Sequence, residues 1–260
     1  MKAISLAKFE EGIVNEDAAI VKDSVIAASD GAGGGGVFAE RWSRYLVSHL
    51  PDKPIKNYKT FDKWIDGIWE PFYNECEKEA QKIGGLFLNK FYDEGSFATL
   101  VAVWQNGMWI SYGDSVAFCY NKKTGVLQHS FTRLVDFNKP PYLINCKDPL
   151  SDNGFKKGQF ILDDDCTIFV ASDTLAHYIL MMYEVAHKDS YSEELLEAIN
   201  AQTKNSNFIR TAMALRKIDF EKQVIGKLVN CKNSWNFKQH LQSLEKKGLL
   251  GHDDYSLAII

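Results

Sequence analysis

The feature that most constrains this chain is the stretch Val25-Ile26-Ala27-Ala28-Ser29-Asp30-Gly31-Ala32-Gly33-Gly34-Gly35-Gly36. An apolar run the length of a buried strand stops at a carboxylate, and five of the next six residues are glycine. Directly afterwards Phe38, Trp42, Tyr45, Leu46 and Leu50 recur at helical spacing. A fold for this chain must therefore put an acid at the tip of a strand, next to backbone that can adopt positive φ or approach a ligand closely. Two chemistries fit. The glycines can cradle a phosphate at a helix N-terminus, or the acid can hold a metal.

The remaining sequence narrows the choice. Its 260 residues are 45% hydrophobic and 25% charged, enough for a sizeable core. A net charge of −4 gives no footprint for nucleic acid, which is excluded as a partner. The first residues lack a secretory apolar segment and no run reaches the length of a membrane span, so a cytoplasmic location without a membrane partner is expected. The five cysteines, at 76, 119, 146, 166 and 231, show no Cys-x-x-Cys spacing and read as buried thiols. No linker or repeat divides the chain, and residues 1–260 read as one domain.

Short strands are expected at 4–7, 18–21 and 24–29. A second helical pattern carries Phe61, Trp64, Ile65, Ile68 and Phe72 on one face, with Pro71 kinking or dividing it. Residues 96–113 read as a hairpin turning at Gln105-Asn106-Gly107, since Asn-Gly between apolar runs is a strong hairpin signal. Further strands are expected at 116–120, 126–130, 159–162, 167–172 and 255–260. Irregular loop is expected over 133–158, and mainly helix, with a lid-like insertion, from about 175 to 249. Hairpin-linked strands with helices in two blocks give an α+β class with antiparallel sheets.

Carboxylates mark the ends of these strands. Asp17 precedes one, Asp30, Asp114 and Asp173 follow others, and Asp253 precedes the last. Neighbours in an antiparallel sheet run opposite ways, so acids at starts and ends can gather at one rim. Such a cluster, with no His or Cys nearby in sequence, suits Mg²⁺ or Mn²⁺ rather than zinc or copper. Each acid alone also reads as a turn former or helix cap, Asp173 above all. The glycine run lacks both the Gly-Lys-Ser/Thr ending of a Walker loop and a βαβ context, so the nucleotide reading gives way to the metal. The run Asp163-Asp164-Asp165 reads as a solvated turn, and His252 as an exposed side chain beside Asp253.

Taken in order, six segments resemble the motifs of the metal-dependent Ser/Thr protein phosphatases of type 2C, across nearly the whole chain. They are Asn15-Glu16-Asp17, Ser29-Asp30-Gly31-Ala32-Gly33-Gly34, Gly95-Ser96-Phe97-Ala98-Thr99, Gly113-Asp114-Ser115, Ala171-Ser172-Asp173 and Asp253-Asp254-Tyr255-Ser256. The resemblance implies a β-sandwich of two antiparallel sheets flanked by helical layers, with two Mn²⁺ or Mg²⁺ ions at one end. By motif position Asp30 would bridge the ions, and Asp17, Asp173, Asp253 and the backbone carbonyl of Gly31 would supply further ligands. Glu16 would act through bound water. Asp114, with Asp173, matches the place where some relatives hold a third, weaker metal. The implied activity is hydrolysis of phosphomonoesters on Ser/Thr phosphoproteins by a metal-bridging hydroxide, with Asp30 and Asp173 catalytic and a Ser/Thr kinase as counterpart.

Departures from the family's pattern point to a divergent, bacterial-like member. Many relatives carry an arginine where Gly12 stands, and Lys8 or Arg41 are the candidates to replace it. Ala32 stands where eukaryotic relatives often have His, Val116 where a motif ends in Arg, and Thr174 where Gly follows the acid. Two alternatives follow: a catalytically weak pseudophosphatase that binds proteins as a regulator, or a phosphomonoesterase of small molecules.

Overall fold

A computed structural model describes residues 1–231 and 233–260. The chain opens with β1 (Lys2–Leu6), β2 (Ala18–Val21) and β3 (Val25–Ser29). Helices α1 (Ala39–Ser48), α2 (Tyr58–Asp66), α3 (Trp69–Ile83) and α4 (Gly85–Glu94) come next. Then follow β4 (Phe97–Ala98), β5 (Leu100–Trp104), β6 (Met108–Tyr112), β7 (Val116–Asn121), β8 (Leu127–His129), β9 (Ile144–Asn145), β10 (Phe155–Gln159) and β11 (Cys166–Ala171). The last block is α5 (Asp173–Ala186), α6 (Ser192–Asn200), α7 (Lys204–Met213), a π-helical turn at Glu221–Ile225, α8 (Gly226–Val229) and α9 (Ser234–Lys246), closed by β12 (Tyr255–Ile259).

One antiparallel sheet has the order β1-β12-β11-β7-β8, a second β10-β6-β5-β3-β2, and β4 and β9 form a short ribbon. Side chains alternate across each strand, so each sheet feeds two cores. Ile26, Ala28, Val101 and Val103 meet Ala117, Cys119, Ile168, Val170 and Ala258 between the sheets. The intervening residues Val25, Ala27, Leu100, Ala102 and Trp104 point outward against Trp42, Leu46, Phe61 and Phe91 of the first helical block. On the other side Phe118, Phe169 and Leu257 meet Ile179, Met182, Phe237 and Leu241. The central strands are thus buried on both faces, which is why they read as unbroken apolar runs. The result is the expected α+β sandwich of two antiparallel sheets flanked by helical layers.

The differences from expectation have local causes. The break between α2 and α3 falls at Gly67-Ile68, and Pro71 lies in the first turn of α3, where a missing N–H forfeits no helical bond. The strand expected at 159–162 is instead Phe155–Gln159, inside the stretch expected to be loop. As an edge strand paired only with β6, it carries Lys156, Lys157 and Gln159, a polar pattern that hides its pairing. Ile161, inside the strand expected at 159–162, is 80% exposed. Among the described residues no helix is long and apolar enough to cross a membrane.

Candidate metal centre

Sheet register carries the strand-end acids to one rim. Ala18 pairs with Ser29, so Asp17, just before β2, stands across from Asp30, just past β3. In the other sheet Ala171 pairs with both Val116 and Leu257, which sets the end of β11 beside the starts of β7 and β12. That register brings Asp173 past β11 together with Asp114 before β7 and Asp253 before β12.

Buried hydroxyls fix the tip of β3. The Thr99 amide donates to the Asp30 carbonyl at 2.8 Å, and the Asp30 amide donates to Thr99 Oγ1 at 3.1 Å. Thr99 Oγ1 lies 2.7 Å from Ser115 Oγ, and Ser29 Oγ donates to the Thr99 carbonyl at 2.6 Å. This clamp explains why the apolar run 97–104 is two strands: Thr99 serves Asp30, and Phe97–Ala98 pairs with β9 instead. Gly31 forms an isolated bridge to Ala98, made by the Asp30 carbonyl and the Ala32 amide, which leaves the Gly31 carbonyl outside it.

Gly31 and Gly33 serve close approach. A Cβ on Gly31 would lie 2.5 Å from the Glu16 carbonyl oxygen and 2.8 Å from that of Ala39, and one on Gly33 would collide with Glu16 Oε1. The Gly33 amide donates to Glu16 Oε2 at 3.2 Å. Glu16 is held from the other side by a residue that sequence reasoning missed. Asp254, 7% exposed, accepts from the Glu16 amide at 2.6 Å and from the Lys8 amide at 2.8 Å. Its only signal in the sequence was the doubling of Asp253.

The electrostatics show that these acids share one field. Asp17 is 1% exposed and neither carboxylate oxygen has a hydrogen-bond partner. The Ser172, Ser256 and Asp30 side chains stand near enough to pull its carboxyl down somewhat; Ser172 Oγ accepts from the Ser256 amide at 2.9 Å, and Ser256 Oγ donates to Ser5 Oγ at 2.8 Å. Burial pushes Asp17 up to about 7. Burial, then the charges of Asp17, Asp173, Asp114 and Asp253, raise Asp30 well above the carboxylate range. Asp173 is raised likewise, by burial and then by Asp114, Asp253 and Asp17. Asp114, whose Oδ1 is buried without a partner, is pushed up to about 6, chiefly by burial with Asp253 adding. Glu16 is also raised, by burial first. Asp253 is the exposed member, and its Oδ1 accepts from the Asp254 amide at 2.9 Å.

Several alternatives are resolved by position. Asp173 is the first residue of α5, with Ser172 in the cap position, so it is not the helix cap. Arg41 is spent on α3, at 2.6 Å from both Glu75 and Glu79. Lys8 sits beside Glu16, whose carboxyl its charge pulls down. Gly12 occupies an open turn at φ 77°. His252 is exposed, held by Glu245 at 3.0 Å and Glu10 at 2.9 Å. The triple-acid run at 163–165 is exposed, as expected of a solvated turn.

Among the described residues no group of three or more His, Cys, Asp or Glu is arranged so that it could hold a metal ion as it stands. The donor chemistry nevertheless fits one. Anionic oxygens without hydrogen-bond donors, buried beside like charges, are destabilising unless protons or cations neutralise them. An all-carboxylate set suits a hard divalent cation.

No family model matches the sequence, and no curated protein matches it. Solved structures match it in fold. The catalytic domain of the serine/threonine protein phosphatase PstP, in complex with two manganese ions, gives a TM-score of 0.51 at 15% identity, covering 99% of this chain and 95% of that one. PstP/Ppp of Mycobacterium tuberculosis gives 0.51 at 15% identity, with 99% and 96% covered. PppA, a regulatory component of the T6SS in Pseudomonas aeruginosa, gives 0.50 at 14%, with 99% and 95% covered.

Proposed function

We propose that this chain, built on the fold of the type 2C Ser/Thr protein phosphatases, is a metal-dependent phosphomonoester hydrolase acting on phosphoproteins. The observation that carries the reading is Asp17, buried with both carboxylate oxygens unpartnered beside Asp30, whose pKa burial and the surrounding acids raise.

Asp30, Asp17, Asp173, Asp253 and the Gly31 carbonyl would hold two Mn²⁺ or Mg²⁺ ions, with Asp30 their shared ligand. Asp114, with Asp173, is assigned to a third, weaker ion. When bound, such ions supply positive charge toward phosphoryl oxygens and lower the pKa of a bound water. The chain's part is to hold its oxygens in place beforehand. Thr99 fixes the backbone of Asp30, and Asp254 with Gly33 fixes Glu16, so little reorganisation is left for the reaction. Ala32 offers no proton, which leaves protonation of the departing alcohol to water or another group. A Ser/Thr kinase in the same compartment, the cytoplasm, would supply the phosphoprotein.

The test is hydrolysis of p-nitrophenyl phosphate in EDTA, Mg²⁺ and Mn²⁺ by wild type, Asp30→Asn and Asp173→Asn. Metal-dependent turnover lost in both variants is expected. A phosphopeptide hydrolysed in preference to sugar phosphates would favour the protein substrate over small molecules. A second reading, a regulator that binds phosphoproteins without turnover, is favoured by Gly12, which presents no side chain to a phosphate. Mn²⁺ binding without hydrolysis in any metal would select it.

A further inference from the structure

A phosphomonoester dianion approaching a rim of carboxylates needs positive charge from the protein as well as from any bound ion. Arg41 is committed to Glu75 and Glu79, and Lys8 lies beside Glu16 in a pocket it shares with Glu10 and Glu11. A different pocket, of about 260 Å³, opens directly on Asp114 and is lined also by Phe131, Asp136, Lys139, Tyr142 and Lys156. Lys139 is paired with Asp136 at 2.7 Å. Lys156 has no carboxylate within ion-pair distance among the described residues. Its Nζ lies 5.5 Å from the centre of the Phe131 ring and donates to Thr132 Oγ1 at 3.3 Å.

We infer that Lys156 is the phosphate-binding residue of this site, drawing a phosphomonoester into the pocket between Phe131 and Asp114. The inference rests on the hydrolase reading above. Lys156 stands on β10 opposite Ser111, on the strand that leads into the Asp114 loop, so its backbone is anchored to the same sheet as the acids' rim. Phe131 and the Thr132 hydroxyl hold the ammonium without neutralising it, which leaves its charge available to an anion. From the sequence this strand reads as loop, which hides the lysine with it.

The test is calorimetric titration of inorganic phosphate into Mn²⁺-loaded wild type, Lys156→Met, Lys156→Arg and Lys157→Met. Lys157 is the control, because it is the neighbour on the same strand and donates instead to the Lys56 carbonyl at 2.8 Å. Lys156→Met should weaken phosphate by about tenfold, the size expected for one charge-assisted hydrogen bond. Lys156→Arg should restore most of it, and Lys157→Met and the Mn²⁺ affinity of all four proteins should be unchanged. In hydrolysis, Lys156→Met should raise KM by a similar factor with kcat little altered. Phosphate bound by Lys156→Met as by wild type, or not bound by wild type at all, overturns the inference. Failure of the hydrolase reading is distinguishable: phosphate would then bind in a Lys156-dependent way with no turnover in any metal.

Discussion

The sheet that carries Asp114 and Asp173 has acids at both ends, and they are treated in opposite ways. At the far end Asp163 accepts from Asn121 Nδ2 at 2.5 Å and from the Asp165 amide at 3.0 Å, and the run 163–165 is exposed. At the rim Asp17 and Asp114 bury oxygens with no partner, and after burial the neighbouring charges raise Asp30 and Asp173. The same residue type, equally placed beside strand ends, makes a satisfied turn in one place and a buried cluster in the other. Acidic composition therefore does not mark a site. Burial without hydrogen-bond donors does so only where several such acids gather, since Glu184 also buries an unpartnered oxygen away from the rim.

This contrast can be broken most sharply by removing charge. Asp30→Asn should abolish Mn²⁺-dependent hydrolysis, by about 100-fold or more, yet raise the melting temperature of the metal-free protein, since it removes a buried charge repelled by its neighbours. Each 1 kcal/mol so gained should appear as about 2–4 °C in scanning calorimetry. A fall in metal-free stability would refute the repulsion.

The next effect is steric. Gly31→Ala must push a Cβ against two backbone carbonyls, so a loss of about 1–3 kcal/mol in urea unfolding is expected. Gly34→Ala meets nothing within 4 Å and should change stability by less than about 0.5 kcal/mol. Equal effects at the two positions would mean that the glycine run is only a flexible turn.

Titration sharpens the comparison further. Asp17 has a folded pKa of about 7, against about 4 for an unfolded carboxyl. Between these values the folded protein binds more protons than the unfolded chain, so metal-free stability should fall as pH rises from about 4 to about 7. Asp30 and Asp173 act in the same direction. With Mn²⁺ present, ionised carboxylates are the binding form and the trend should reverse. Melting temperatures across this range, in EDTA and in Mn²⁺, check both signs. The smallest change is expected at the far end, where Asp163→Asn should cost about 0.5 kcal/mol or less and leave hydrolysis untouched.

Most of the sandwich was legible because its central strands are buried on both faces, and Val25–Ser29 or Cys166–Ala171 have no other plausible use for their apolar runs. The acids were legible because they interrupt those runs at the ends. What was hidden depends on the third dimension. Thr99 reads as one more β-branched residue in a strand until its hydroxyl is seen to hold Asp30. Asp254 looks redundant with Asp253 until it is found bonded to the Glu16 and Lys8 amides. The strand Phe155–Gln159 was masked by its lysines, because an edge strand has one side to solvate.

The most direct measurement is calorimetric titration of Mn²⁺ into EDTA-stripped protein, wild type beside Asp17→Asn and Asp30→Asn. Saturable binding by the wild type, weakened at least tenfold in each variant, is expected if the unpartnered rim acids are a cation site. A wild type that takes up no Mn²⁺ and melts at the same temperature with and without it would contradict that assignment, and the hydrolase reading with it.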